Sequence, residues 1–185
     1  GVDMLTATSQ KIGGICGSAF LYVKHGVKLQ SIIHGTQENG LRGSTYNVPA
    51  IAAFGKAIEL IDYSKENEIK DKRDYCINKL WFCTNIDNKI IVNGNLKSRL
   101  ANNLNIQIEN VDSQMLIALL DLDGVCVSAG SSCHASEKTP SHVLKAIGLS
   151  DKQAKESIRI SFNEDTTYEE IDKFVEKLEI ILTQF

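Results

Sequence analysis

The sequence lacks the features that would place it in a membrane, on nucleic acid or in an oxidising compartment. No apolar run reaches the ~18 residues that a membrane-crossing helix needs, and the start carries no secretory-signal pattern. There is no excess of positive charge. Twenty Lys and Arg stand against 23 Asp and Glu, a net charge of −3, which removes the electrostatic case for nucleic acid or an anionic membrane surface. The 5 cysteines are an odd number with no C-x-x-C pair and no repeated metal-type spacing. A disulfide framework and a zinc site are therefore disfavoured, and a reducing cytoplasm is the expected setting. Internal repeats and low-complexity tracts are also missing. What remains, 43% hydrophobic and 23% charged over 185 residues, fits a soluble globular protein of one domain, or of one large and one small lobe. The first residue is Gly1 and the first methionine Met4, so a truncated or excised chain is expected.

Hydrophobic patterning predicts strands mixed with helices, an α/β or α+β class. Asp3 to Ala7 and Ser18 to Val23 read as strands, separated by Gly13, Gly14 and Gly17. Asn47 and Pro49 open a helix with Ile51, Phe54, Ile58 and Ile61 as its apolar stripe. A second helix is expected over about Lys70 to Phe82, with Trp81 and Phe82 in the core and Cys76 and Cys83 as packing residues. Lys89 to Gly94 reads as a strand with a turn, and Asn102 to Ile108 alternates apolar and polar residues as a half-buried strand does. Ser113 is expected to cap a helix that carries Met115, Leu116, Leu119 and Leu120 and stops at Gly124. Gly124 to Val127 looks like a strand, and Pro140 to Ile147 like a short helix. In Ser157 to Phe162, Ile158, Ile160 and Phe162 share one face while Arg159 and Ser161 share the other. Thr167 to Glu170 is a capping box for the last helix, with Ile171, Phe174, Val175, Leu178 and Leu182 on its buried stripe.

Three stretches carry chemistry. The first is Val127-Ser128-Ala129-Gly130-Ser131-Ser132-Cys133-His134, in which a cysteine stands among small residues. A packed cysteine is normally flanked by core residues, whereas this loop offers hydroxyls, backbone N–H groups and mobility. That suits a thiol that has to reach a target, and equally an ordinary solvent-facing loop. Lys11, between two strands, is either a solvated loop charge or an amine in an apolar, glycine-lined pocket, where desolvation keeps it neutral and able to form an imine. The third stretch, Ile33 to Thr45, is polar and rich in glycine. Arg42, Ser44, Thr45 and the glycine amides suit an oxyanion such as phosphate, while the missing Gly-Lys-Ser/Thr ending disfavours a nucleotide P-loop. A polar loop at a subunit contact is the other reading, and both can hold together.

In this order, four segments resemble the pyridoxal-phosphate-dependent cysteine desulfurases of the aminotransferase class V-like, fold type I group. Thr8-Ser9-Gln10-Lys11 stands where the family has Ser-x-His-Lys. Gly35-Thr36-Gln37-Glu38-Asn39-Gly40-Leu41-Arg42-Gly43-Ser44-Thr45 follows its Gly-Gly-x-Gln-Glu-x-Gly-x-Arg-x-Gly-Thr loop. Ser128 to Cys133 matches its Ser-x-Gly-Ser-Ala-Cys loop, and Ser157 to Ser161 its Ser-Ile-Arg-Ile-Ser strand. The resemblance covers the whole chain and about the C-terminal half of a family member. Departures are Gln10 for the histidine, Ile15 and Cys16 for Pro-Lys, and Thr36 and Ser44 for glycines. Gln10 can donate to a phosphate but cannot titrate as an imidazole does.

The resemblance implies pyridoxal 5'-phosphate on Lys11, with Thr8, Gln10 and Thr45 among the groups that bind it. It makes Cys133 the catalytic thiol and Arg159 the ligand of the carboxylate of L-cysteine. The activity implied is removal of sulfur from L-cysteine, giving L-alanine and a persulfide on Cys133 for a sulfur-acceptor protein, either a scaffold such as those of iron–sulfur cluster assembly or a carrier. It also implies a homodimer. The family's remaining ring and phosphate contacts come from its N-terminal half, so little turnover is expected from this chain alone. The alternative is a non-catalytic sulfur-relay or interaction module in which Cys133 is the sole chemistry. The expected architecture is a remnant of the cofactor-binding large domain at 1–46, connecting helices at 47–84, and an α+β small domain with the cysteine loop at 85–185.

Overall fold

The structure, a computed structural model, describes residues 1–82, 90–130 and 139–184. The chain divides into two compact units, Gly1–Tyr63 and Ser64–Phe185. Cys83, expected as a packing residue, and Cys133 and His134 of the cysteine loop lie outside the described residues.

In the first unit, β1 (Met4–Thr8) and β2 (Ala19–Val23) form an antiparallel pair running from Met4 opposite Val23 to Thr8 opposite Ala19. A single 3-10 turn, Ser9–Ile12, follows β1. The helix α1 (Val48–Glu59) is capped as expected, the Asn47 side chain accepting from the Ala50 N–H with Pro49 in the first turn. Its buried stripe differs from the expected one. Ala50, Phe54 and Ala57 are buried, while Ile51 and Ile58 are about half exposed. The reason is close approach: Ala57 lies against Gly14, where a Cβ would also strike Ser9 Oγ, and the Ser18 hydroxyl donates to Ala50 O at 2.8 Å. Alanines at this contact let the helix sit on the turn, and Phe54 stacks on Phe20 at 5.7 Å. Two strands cannot cover their own side chains, and Met4, Leu5, Phe20, Leu21 and Tyr22 stay largely exposed.

The glycine-rich loop closes on itself. Gly35 and Gly43 cross so tightly that a Cβ on either would strike the other strand's backbone, and Arg42 bridges to Ile33 and Gln37. Beyond the crossing, Ser44 takes φ +86°, a region costly for any residue with a Cβ. Ser44→Gly is therefore expected to stabilise the first unit by about 0.5–1 kcal/mol, strain relief outweighing the greater freedom of glycine in the unfolded chain. Chemical denaturation monitored within this unit would measure it. A lower midpoint would show that Ser44 is not strained.

In the second unit an antiparallel sheet runs in the order β3 (Ile90–Val92), β4 (Asn103–Ile108), β5 (Ser157–Ser161). Leu104, Ile106 and Ile108 on β4 and Ile158 and Ile160 on β5 bury one face. They pack with α2 (Glu66–Trp81), α3 (Ser113–Leu122) and α6 (Tyr168–Leu182) into one core. The expected capping box of α6 is present, with Thr167 and Glu170 exchanging hydrogen bonds. Helix α2 is fixed to α6 by Asp172, which accepts from the Tyr75 hydroxyl at 2.8 Å and pairs with Lys79 at 2.8 Å.

Four expectations change. The cap of α3 is Asp112, which accepts from the Gln114 and Met115 N–H groups, and Ser113 is the first helical residue. Trp81 and Phe82 are 55% and 79% exposed, because α2 turns Cys76, Ile77 and Leu80 inward, leaving Trp81 about 100° round from Leu80. Gly124 to Val127 makes no ladder. Val125 N–H returns to Leu120 O at 2.9 Å to close α3, and pairing waits until Ser128. The short helix past Pro140 is α4 (His142–Ala146), capped by Ser141. It is followed by the unforeseen α5 (Asp151–Lys155), whose capping box is Ser150 with Gln153.

Candidate active site

The expected cofactor residues lie in the first unit. Thr8 ends β1, and its hydroxyl donates to the Gln10 side-chain oxygen on the 3-10 turn. Lys11 follows on the same turn with its side chain exposed. Thr45 is exposed just past the glycine crossing. Thus Thr8, Gln10 and Lys11 share one turn, and Thr45 belongs to a separate loop.

Arg159 lies in the second unit, on the polar face of β5 as alternation requires. Its cross-strand partner is Asn105 on β4, and on its other side it forms an antiparallel bridge with Ser128. The Ser128 N–H donates to Arg159 O at 3.1 Å, and Arg159 N–H returns to Ser128 O. The guanidinium Nη2 reaches the Ser128 hydroxyl at 3.5 Å, while Nε is enclosed with no hydrogen-bond partner among the described residues. Ser128 opens the cysteine loop, so the bridge joins the arginine strand directly to that loop. Cys133 itself lies outside the described residues.

Arg159 lines a cavity of about 1130 Å³, together with Asn105, Ala129, Gly130, His142 and Lys155. The polar face of the sheet supplies its floor. A guanidinium in such a space, with most of its donors uncommitted, has the shape and charge that suit a planar carboxylate. Among the described residues no cluster of three or more His, Cys, Asp or Glu could hold a metal ion.

Sequence reading missed the residues around Arg159. Asn93, 7% exposed, donates its side-chain amide to Asn105 Oδ1 at 2.7 Å and to Ser157 Oγ at 3.0 Å. Arg99 donates to the carbonyls of Asn93 and Asn95, and burial together with neighbouring Arg73 holds its pKa below the ordinary value. The available clue was Asn93-Gly94-Asn95, a turn-forming triplet at the end of a strand.

The chain is similar to known proteins over nearly its whole length. The chain is 38% identical to a cysteine desulfurase IscS of Dictyoglomus turgidum, over 98% of this chain and 46% of the relative. It is 36% identical to cysteine desulfurase IscS 1 of Archaeoglobus fulgidus, over 96% of this chain and 47% of the relative. A solved NifS-like protein from Rickettsia africae superposes with a TM-score of 0.83 at 34% identity, covering 97% of this chain and 47% of that one. The structure titled SspA in complex with cysteine superposes at 0.62 and 30% identity, covering 87% and 44%. The chain therefore spans about half the length of the curated relatives it matches. The expected α/β architecture, part of a fold type I pyridoxal-phosphate-dependent transferase, is borne out by these superpositions. Residues 1–174 match the aminotransferase class-V family, and since that match takes in both the Lys11 turn and the Arg159 strand, the chain belongs to that family.

Proposed function

We propose that this chain is the C-terminal half of a cysteine desulfurase, active together with the other half of the fold. The observation that carries this reading is the Arg159–Ser128 bridge. It ties a guanidinium suited to an amino-acid carboxylate to the first residue of the loop that bears Cys133. Relatives named cysteine desulfurase support it. In this reading residues 1–46 belong to the cofactor-binding domain, 47–84 connect, and 85–185 form the small domain. The intact assembly is a cytoplasmic homodimer that hands sulfur to a scaffold or carrier protein.

The donor set around Lys11 fits pyridoxal phosphate in chemical type. An exposed primary amine follows a hydroxyl and an amide at one turn. Lys11 would carry the group and move protons at the substrate, while Thr8 and Gln10 would donate to its phosphate and Thr45, on its separate loop, to the phosphate bound by the neighbouring subunit. When bound, the group supplies the electron sink that lets the carbon–sulfur bond open. Arg159 holds and orients the substrate carboxylate. Cys133, as thiolate, takes the sulfur. The overall change balances without an external oxidant: L-cysteine and the Cys133 thiol become L-alanine and the Cys133 persulfide.

The test combines this full chain with a polypeptide carrying the unmatched half of the Dictyoglomus turgidum relative, pyridoxal phosphate and L-cysteine. L-alanine should appear, Cys133 should gain the mass of one sulfur atom, and Cys133→Ala and Lys11→Ala should each abolish both. An assembled, cofactor-loaded complex that forms no alanine would overturn the proposal. Sulfur gained on Cys133 from a persulfide donor would then favour the relay module.

A further inference from the structure

We infer that Arg99 is a positioning residue for Arg159, acting through the Asn93-Gly94-Asn95 turn; the inference rests on the reading of Arg159 as the carboxylate ligand. Arg99 is held where its charge is poorly served. Burial and the adjacent Arg73 work against its protonated form more than Asp74 favours it, and Nη1 is enclosed with no partner among the described residues. Its hydrogen bonds go to neutral carbonyls at the two ends of one turn, with Nε on Asn95 O at 2.9 Å and Nη2 on Asn93 O. Arg99 is only half-buried, but a cation that gives up part of its hydration for carbonyl partners loses free energy, so its position needs a structural return.

That return is the geometry of the turn. Gly94 has φ +80°, and a Cβ there would come within 3.3 Å of Arg99 Nη2. The Asn95 side chain accepts from the N–H groups of Lys97 and Ser98 at 2.7 and 3.0 Å, curling the chain so that Arg99 comes back over the turn. One planar fork then grips both ends, which a single ammonium cannot do with the same geometry.

What the grip fixes is Asn93. Its backbone N–H pairs with Asn105 O at 2.9 Å, extending the β3–β4 ladder by one residue. Its side-chain amide bonds Asn105, the cross-strand partner of Arg159, and Ser157, two residues before Arg159 on the same face of β5. The amide therefore ties together two neighbours of Arg159. Arg159 has few polar restraints of its own, its one side-chain hydrogen bond among the described residues being the 3.5 Å approach to Ser128 Oγ. Its orientation is inherited from this row, which begins at Arg99.

The test uses the full chain with nitrogen-15-labelled arginine, following the Arg159 Nε–H resonance, assigned by its loss in Arg159→Lys. Arg99→Met should shift that resonance and speed its hydrogen exchange at least about tenfold. It should also weaken binding of L-alanine, the carboxylate probe, by about tenfold, the scale seen when an outer residue orienting a ligand is removed. Arg99→Lys should shift the resonance less. Lys72→Met is the control for lost stability, since Lys72 is a buried cation whose hydrogen bonds go to Glu68 and, at 2.7 Å, to Glu164 O, neither of them in the turn. It should lower the melting temperature and leave the resonance in place. An unmoved resonance in Arg99→Met, or an equal shift in Lys72→Met, would overturn the inference. If the wild-type chain binds L-alanine no better than Arg159→Lys does, the carboxylate reading fails, and the resonance comparison still decides the role of Arg99.

Discussion

Replacing Arg159 by methionine is expected to raise the KM for L-cysteine in the complemented enzyme by about 30- to 1000-fold. Removing one member of a desolvated, hydrogen-bonded charge pair costs about 2–4 kcal/mol, and each 1.4 kcal/mol is tenfold. The guanidinium lines an open cavity beside Asn105, with Nε enclosed and unpartnered among the described residues. A carboxylate arriving there meets a half-buried fork whose Nε is already shut off from solvent. The carboxylate lies away from the bond being broken, so its contact is held similarly before and during reaction. The loss should therefore fall on KM with kcat changed little. Arg159→Lys should recover less than a tenth of the lost affinity, because an ammonium offers a point charge where two parallel N–H groups are needed. Steady-state kinetics of alanine formation would check both variants. An unchanged KM in Arg159→Met would mean that the arginine merely fastens β5 to the Ser128 segment, and the substrate carboxylate would have to be sought elsewhere.

Much of this site was legible because the period of a β-strand is short and strict. In Ser157 to Phe162 the three large apolar residues alternate with Ser157, Arg159 and Ser161, and a one-residue error would have buried the charge. The structure follows the pattern, with Ile158 and Ile160 buried and Arg159 on the cavity side. Capping was equally readable at Thr167, where hydroxyl and carboxylate sit three residues apart. Helical faces were less secure. In α1 and α2 the largest side chains drew the eye to Ile51, Ile58 and Trp81, yet the contact is made by Ala50, Ala57, Ile77 and Leu80. Bulk in a sequence does not say which face has a neighbour. Arg99 was invisible for another reason. Its partners are backbone carbonyls four and six residues back, and no side-chain pattern encodes a carbonyl.

A second large effect is expected from Leu178→Ala, which should destabilise the second unit by about 3–4 kcal/mol. Leu178 is fully buried on α6, in the core shared with Cys76, Ile77 and Leu80 of α2 and Leu104, Ile106 and Ile158 of the sheet. Strands and helices converge there, so the vacated space cannot close without moving an element, and the cavity cost adds to the lost burial. For a unit of roughly 120 residues this corresponds to a fall in melting temperature of about 10–20 °C. Trp81→Ala supplies the contrast. Reading α2 from the sequence puts Trp81 in the core and predicts a loss of about 3–5 kcal/mol. The structure leaves it 55% exposed, one residue off the buried stripe, and the expected loss is under about 1 kcal/mol. Thermal unfolding of the two variants side by side reads the packing of α2 and α6 directly. If Trp81→Ala proves the more damaging, α2 turns a different face to the core from the Cys76, Ile77 and Leu80 stripe. Arg73, which donates to Leu100 O at the end of the Arg99 loop and is held by Asp74, would then rotate with it, carrying the disturbance towards the row that orients Arg159.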